Sequence, residues 1–162
     1  MKKVSILLLM AVAFVAMTGF NNTCSAQAEE DEVQLFQTMY GMEKRSLISE
    51  AMELSGDHEK AFWPVYEQFE KERRAVGKER IALIKEYMDT YTSATDEQLD
   101  AIATKAFANE SAFTKLETSY YDKMKKVTSS GIAFRWLQVE RYLNTSIRAA
   151  IQDELPFMPN EK

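Results

Sequence analysis

The stretch that decides the fold is Leu54–Phe69, which reads LSGDHEKAFWPVYEQF. Ser55 is typical of a helix N-cap, and Leu54 before it can pack as a hydrophobic staple. Aromatic residues then recur at helical spacing. Pro64 lies among them and removes one backbone hydrogen bond from the helix. Because the apolar pattern continues in phase through the proline, we expect a bend near Lys60–Pro64 rather than the end of the helix.

From this start the sequence predicts a hairpin of two long helices. The apolar pattern continues to about Thr92, so the first helix of the pair has about 35 residues and is roughly 52 Å long. Residues 92–95 break the pattern. Thr95-Asp96-Glu97-Gln98 is a full capping box with acidic residues in the first turn, where the helix dipole favours them. The second helix follows over Leu99–Val127, and the short connection makes the pair antiparallel.

Two further helices are predicted, one before and one after the hairpin. Over Val33–Leu54 apolar residues recur every three or four positions, and Gly41 permits a kink or a break in that helix. After the hairpin, Ser129-Ser130-Gly131 ends the second long helix, and a last helix covers Ile132–Ile151. The extended tail at Leu155–Pro159 then has two apolar residues to bury.

Turn residues are scarce, and no apolar run has a period of two residues. The chain has three prolines and five glycines, too few for the many turns of a sheet protein. The predicted fold is therefore all-α, with four helices, a long antiparallel helical hairpin and no sheet.

Polar residues interrupt the apolar stripes of the two long helices. Arg73 and Arg80 interrupt the first stripe, and Asn109 and Glu110 the second. With the hairpin centre near residues 93–94, Arg80 stands opposite the segment that contains Glu110, and Phe69 opposite Thr118. We expect Arg80 to lie near Glu110. The alternative is that both side chains extend to solvent at the edge of the seam.

Residues 1–28 have the layout of a secretory signal peptide. Lys2 and Lys3 precede an apolar run at Val4–Met17, and Ala26-Gln27-Ala28 is typical of a cleavage site. The run has about 14 residues, whereas a membrane span needs about 20. Cleavage leaves residues 29–162 as a single domain of a periplasmic protein, with a mobile acidic lead-in at Glu29–Glu32. The alternatives are an uncleaved anchor and a lipid anchor on Cys24.

The cleaved chain is acidic and has no cysteine. The full sequence has a net charge of −5, and residues 1–28 carry two lysines and no acid, so residues 29–162 have a net charge of −7. Nucleic acid is not an expected partner, because binding phosphates needs a basic face. No disulfide can form, so the fold depends on its core. We interpret the basic run Lys71–Arg80 as a solvated helix face, with a cationic patch for acidic partners as the alternative.

No residue pattern is typical of a catalytic, metal or cofactor site. His58 is the single histidine, and a metal site in a helical bundle needs several ligands at set spacing. We interpret His58 as part of the helix cap. Met39, Met42 and Met52 suggest a soft-metal site, but methionine at helical spacing is more often core. We expect a non-enzymatic protein without metal or cofactor.

Large aromatic side chains are more numerous than a thin layer of paired helices can bury. We expect some of them on an edge or a concave surface, rimmed by arginine and lysine and suited to binding a protein. The alternative is that they fill the seam between the hairpin and the flanking helices. The predicted protein-binding residues are Phe62, Trp63, Tyr66, Phe69, Arg73, Arg74, Tyr120, Tyr121 and Trp136.

Two segments that start the long helices resemble one another and resemble a known motif. Leu54-Ser55-Gly56-Asp57-His58 and Ala94-Thr95-Asp96-Glu97-Gln98 are similar to the LTxxQ motif, which occurs twice in the Spy/CpxP family of small periplasmic helical proteins. The first copy has Ser and His for Thr and Gln, and the second has Ala for Leu. FWPVY and the later FRWLQVE and ELPFMP segments resemble exported bacterial proteins described as sensors of extracytoplasmic sigma factors. The residues that carry the cap motifs are Leu54, Ser55, His58, Thr95 and Gln98.

This resemblance, over about residues 33–158, implies an ATP-independent chaperone or an envelope-stress protein. Such proteins form a thin, curved helical homodimer that binds unfolded clients or partner proteins on an apolar and cationic face. The alternative is a regulatory adaptor that binds a sensor or anti-sigma domain. A third hypothesis is a metal-binding stress protein that uses the methionines and His58.

Overall fold

The computed structural model describes residues 41–159, which are helical apart from short connections and a tail, with no strand. Residues 41–52 are helical (α1 in this range), followed by α2 (Gly56–Thr90), α3 (Asp96–Val127) and α4 (Ser130–Glu154). The prediction of four helices without a sheet is confirmed for this part of the chain. None of these helices is both long and apolar enough to span a membrane. The predicted signal peptide, Cys24, Glu29–Glu32 and the first part of the predicted Val33–Leu54 helix lie outside the described residues.

The two long helices form the predicted antiparallel hairpin. Thr95 begins α3 with both bonds of a capping box, because its side chain accepts from the Gln98 backbone N–H and its own N–H donates to the Gln98 side chain. The ring of Phe69 meets Tyr120, with centroids 5.5 Å apart. The sequence placed Thr118 opposite Phe69, so the predicted register was close to the observed one.

The start of α2 differs from the predicted cap. Ser55 occupies the N-cap position, but its side chain makes no capping hydrogen bond. Glu53 and Gly56 both have positive φ angles, 47° and 63°, so the chain enters α2 through left-handed residues. His58 is exposed on the first turn. The helix then passes through Pro64 without interruption, which confirms that the proline does not end it.

The last helix returns along the hairpin, antiparallel to α3 and parallel to α2. Ser129 caps α4 by accepting a hydrogen bond from the backbone N–H of Ile132 at 3.2 Å. At the far end, the Tyr87 hydroxyl donates to the Pro156 carbonyl at 2.6 Å and holds the start of the tail on α2. Beyond that point the prediction of buried tail residues was wrong. Phe157 is 87% exposed, because the chain leaves the bundle after its bond to Tyr87.

Buried side chains concentrate at one end of the bundle, where α1 and α4 cover the hairpin. No residue between 71 and 108 is fully buried, whereas both flanking parts of the hairpin contribute to the core. The hairpin end therefore has a thinner apolar layer than the end where four helices meet. The buried hydrophobic residues are Ile48, Met52, Phe62, Tyr66, Phe69, Tyr120, Met124, Ala133, Trp136, Leu143 and Ala150.

Candidate functional site

Most of the predicted protein-binding aromatic residues lie in the core. Phe69 is at its centre, with the Trp136 ring 5.0 Å away and the Tyr120 ring 5.5 Å away, both at steep angles. Edge-to-face contacts of this kind stabilise a core beyond the area they bury. The structure thus places these side chains in the seam between the helices, the alternative raised from the sequence, rather than on an open surface. The fully buried members of the predicted set are Phe62, Tyr66, Phe69, Tyr120 and Trp136.

The remaining four predicted residues are scattered. Trp63 and Tyr121 are half-buried, and the Arg45 guanidinium lies 4.0 Å above the Trp63 ring. Arg73 is half-buried in an ion pair, and Arg74 is exposed on α2. The predicted set therefore does not form one continuous exposed face.

Sequence reasoning missed a buried ion cluster formed by Lys44, Glu70, Arg73 and Glu140. The Lys44 ammonium is fully buried and lies 2.6 Å from Glu70 Oε1 and 2.5 Å from Glu140 Oε1. Arg73 donates to both oxygens of Glu70, at 2.9 and 3.1 Å. One lysine thereby joins α1 to α2 and α4. A signal was present in the sequence, because Lys44 precedes the buried Ile48 and Met52 at spacings of four and eight and so stands on the apolar stripe of α1.

The two carboxyl groups of the ion cluster differ in their pKa. Burial alone would raise the pKa of Glu70, but the Lys44 ammonium and the Arg73 guanidinium outweigh it and lower the pKa to about 2. The pKa of Glu140 is raised, first by burial, although Lys44 acts against it. Its second oxygen, Oε2, is buried without a hydrogen-bond partner among the described residues. Lys44 and Arg73 together therefore compensate the burial of Glu70, whereas the burial of Glu140 is compensated only in part.

A second polar group, which we call the arginine layer, lies further along the bundle and consists of Arg80, Glu110 and Arg148. Arg148 Nη1 on α4 donates to Glu110 Oε1 on α3 at 3.3 Å. Arg80 on α2 lies close enough for the charges of Arg148 and Glu110 to act on it. Beside them the Asn109 amide donates to the Val76 carbonyl at 2.9 Å and fixes α3 against α2. The prediction that Arg80 lies near Glu110 agrees with the charge of Glu110 acting on Arg80. The hydrogen bond from Arg148 to Glu110 was not predicted, because the hairpin register did not include α4.

The solvent side of α4 carries exposed aromatic and cationic side chains. Phe134 is 53% exposed and Tyr142 is 59% exposed, and Arg135 and Arg141 are also exposed. Phe134 and Arg141 are seven residues apart, so they lie on the same side of the helix, two turns apart. Arg141 Nε is anchored to Glu117 Oε2 on α3 at 3.2 Å. We call these four residues the α4 outer face.

A shallow pocket of about 190 Å³ lies between α1 and α2. Gly41 makes room beside it, since a Cβ atom there would come within 2.9 Å of the Arg74 guanidinium. The carboxylates of the pocket are already engaged, Glu67 with Arg45 at 2.8 Å and Glu70 in the ion cluster. Within residues 41–159 no group of three or more His, Cys, Asp or Glu side chains is arranged to hold a metal ion. The pocket is lined by Gly41, Arg45, Tyr66, Glu67, Glu70, Lys71 and Arg74.

Comparisons with protein-family models, with curated proteins and with solved structures found no match for this chain.

Proposed function

We propose that this chain is an exported, non-enzymatic binding protein that holds unfolded or partner proteins on an apolar and cationic face without using ATP. The observation that carries the proposal is the α4 outer face. It combines two exposed aromatic rings, Phe134 and Tyr142, with the guanidinium groups of Arg135 and Arg141. Aromatic residues and arginine are the residue types enriched where proteins bind one another.

The chemistry of this face suits clients that are unfolded. Contact between the exposed rings and the apolar side chains of an unfolded chain is favourable, because it removes apolar surface from water. The arginines attract the acidic side chains of the same client and also stack on its aromatic rings. Neither contact needs a fixed client sequence, which fits a chaperone-like role.

The periplasmic location, the Spy/CpxP likeness and a homodimeric state belong to the same proposal. The signal-peptide pattern at residues 1–28 supports export. The cap that starts α3 at Thr95 supports the family likeness, since it uses the Thr-x-x-Gln part of the motif in both of its hydrogen bonds.

The test measures how far the purified protein suppresses aggregation of a chemically unfolded client in the absence of ATP. We expect suppression by the wild-type protein and a clear loss in the double variant Phe134→Ser/Tyr142→Ser. The matched control is Phe107→Ser, which removes a ring that is 71% exposed on α3. By the register of the α3–α4 ion pairs, Phe107 lies about 25 Å along the bundle from Phe134.

Two results would contradict the proposal. The first is no suppression by the wild-type protein at several-fold excess over the client. The second is an equal loss in the double variant and in the Phe107→Ser control, since the α4 outer face would then have no special role. Capture of one saturable partner from an envelope extract, without any effect on unfolded clients, would support the regulatory adaptor instead.

A further inference from the structure

The arginine layer has more positive than negative charge. Arg80 and Arg148 contribute two guanidinium groups, and Glu110 contributes one carboxylate. The charges of Glu117 and Arg148 also act on one another, but Glu117 is paired with Arg141 at 3.2 Å, so including that pair leaves the difference unchanged. One positive charge therefore remains uncompensated where α2, α3 and α4 meet.

The hydrogen-bond donors of this layer are also incompletely used. The Nε atoms of Arg80 and Arg148 are both buried, and neither has an acceptor within the described range. Arg148 donates a hydrogen bond from Nη1 to Glu110. A buried donor without an acceptor costs free energy, so such atoms in a native protein need an explanation. Binding of an anion at these donors is one such explanation.

The surroundings favour an anion that is partly shielded from water. The Arg148 guanidinium lies 5.8 Å from the centre of the Phe113 ring, and its side chain is 30% exposed. Burial, followed by the nearby charge of Arg148, lowers the pKa of Arg80, although Glu110 acts against this shift. The layer is thus partly shielded from water, which strengthens the binding of an anion there.

We propose that Arg80 and Arg148 form a binding site for an oxyanion, either a carboxylate or a phosphate group. A guanidinium offers its Nε and Nη donors as a fork that matches two oxygens of one such group. The ligand would lie between α2 and α4 at the level of Glu110 and neutralise the remaining positive charge. This site is separate from the α4 outer face, and the inference does not depend on the proposed function.

The test is a thermal-unfolding titration of the purified protein with sodium phosphate and, separately, with sodium acetate, each against sodium chloride at the same ionic strength. A ligand that binds only the folded state raises Tm with its concentration. We expect a saturable rise with at least one oxyanion and none with chloride. A stronger response to phosphate identifies a phosphate-type ligand, and a stronger response to acetate identifies a carboxylate.

Two variants separate a site from a general salt effect. Arg80→Gln should weaken oxyanion binding about tenfold or more, the usual effect of losing a charged hydrogen-bond donor. It should not lower Tm without ligand, because it removes the repulsion from Arg148. Lys115→Gln is the control, since Lys115 is an exposed cation on α3 outside both the arginine layer and the α4 outer face. Equal responses to chloride and to both oxyanions, or equal losses in the two variants, would overturn the proposal.

Discussion

Lys44 is the cation that both buried carboxylates of the ion cluster share. It is fully buried between Glu70 and Glu140, so Lys44→Met would leave two carboxylates in the core without their shared cation. We expect the free energy of unfolding to fall by about 3–5 kcal/mol, the usual cost of breaking a buried ion pair on one side. Urea denaturation measures this change.

The double variant Lys44→Met/Glu140→Leu is the informative companion. It removes the second buried carboxyl together with the lysine, so much of the lost stability should return. Arg45→Met serves as the control on the same helix, because its pair with Glu67 is largely exposed, and we expect a loss of only about 1 kcal/mol or less. A loss of stability in Lys44→Met no larger than that in Arg45→Met would show that the ion cluster does not stabilise the fold.

The lowered pKa of Glu70 predicts a loss of stability in acid. Since the pKa falls from 4.5 to about 2 on folding, the unfolded chain binds more protons between these values. The contribution of Glu70 is therefore fully present above pH 4.5 and is lost as the pH falls towards 2, by about 3 kcal/mol. Glu140 acts with the opposite sign and at higher pH, because its raised pKa favours the folded state only until the pH rises through it.

Urea denaturation at several pH values between 2 and 7 checks this sign. We expect Glu70→Gln to be less stable than the wild type at neutral pH but to have a flatter acid limb. Glu67→Gln is the control, since Glu67 is an exposed neighbour on α2. An acid limb that is as steep in Glu70→Gln as in Glu67→Gln would contradict the assignment.

At the scale of single elements, the two related cap motifs behave differently. Thr95 makes both capping-box bonds, whereas the Ser55 side chain makes none. Thr95→Ala should therefore lower the free energy of unfolding by about 1 kcal/mol, and Ser55→Ala should change it by much less. Thermal or urea unfolding of the two variants makes the comparison, and equal costs would show that the motif copies are equivalent in solution.

Gly56 explains why the first motif does not cap in the usual way. Its φ of 63° is a left-handed conformation, and no atom lies within 4 Å of the place where a Cβ atom would stand. Gly56→Ala should thus cost about 1–2 kcal/mol through backbone strain alone. Gly131→Ala is the matched control, because Gly131 lies in the first turn of α4 without a positive φ and alanine is the better helix former. The measurement is unfolding by urea, and a cost at Gly131 equal to that at Gly56 would argue against strain.

On the scale of the whole molecule, stability should be uneven along the hairpin. Residues between 71 and 108 have no fully buried side chain, while Phe69 and Tyr120 lie in the core at the other end. Few buried contacts mean a low free energy of local opening. Hydrogen exchange followed by mass spectrometry should show faster exchange in residues 82–104 than in residues 113–124. Equal protection along the whole of α3 would contradict this expectation.

The sequence was sufficient for the helices of the described part because periodicity and caps are local signals. Thr95 and Ser129 each mark a helix start that the structure contains. The clusters were harder to predict, since they depend on which helices meet. Arg148 could not be paired with Glu110 until α4 was placed against α3, and the burial of Trp136 depends on its contact with Phe69. Side-chain exposure is likewise a property of the assembled bundle, so the sequence pattern alone does not separate core aromatic side chains from exposed ones.

The ion cluster also has a consequence for how α1 is aligned. After a slip of α1 by one helical turn, Met52 would take the place of Ile48, so that position would still hold an apolar side chain. Such a slip would put Ile48 in the place of Lys44, between Glu70 and Glu140, and bury two carboxylates against a hydrocarbon side chain. The buried charge thus selects a single register for α1, and NMR spectra of Lys44→Met/Glu140→Leu should show exchange broadening in α1 that the wild-type protein lacks. Sharp, single resonances throughout α1 in that variant would show that the apolar contacts alone define the alignment.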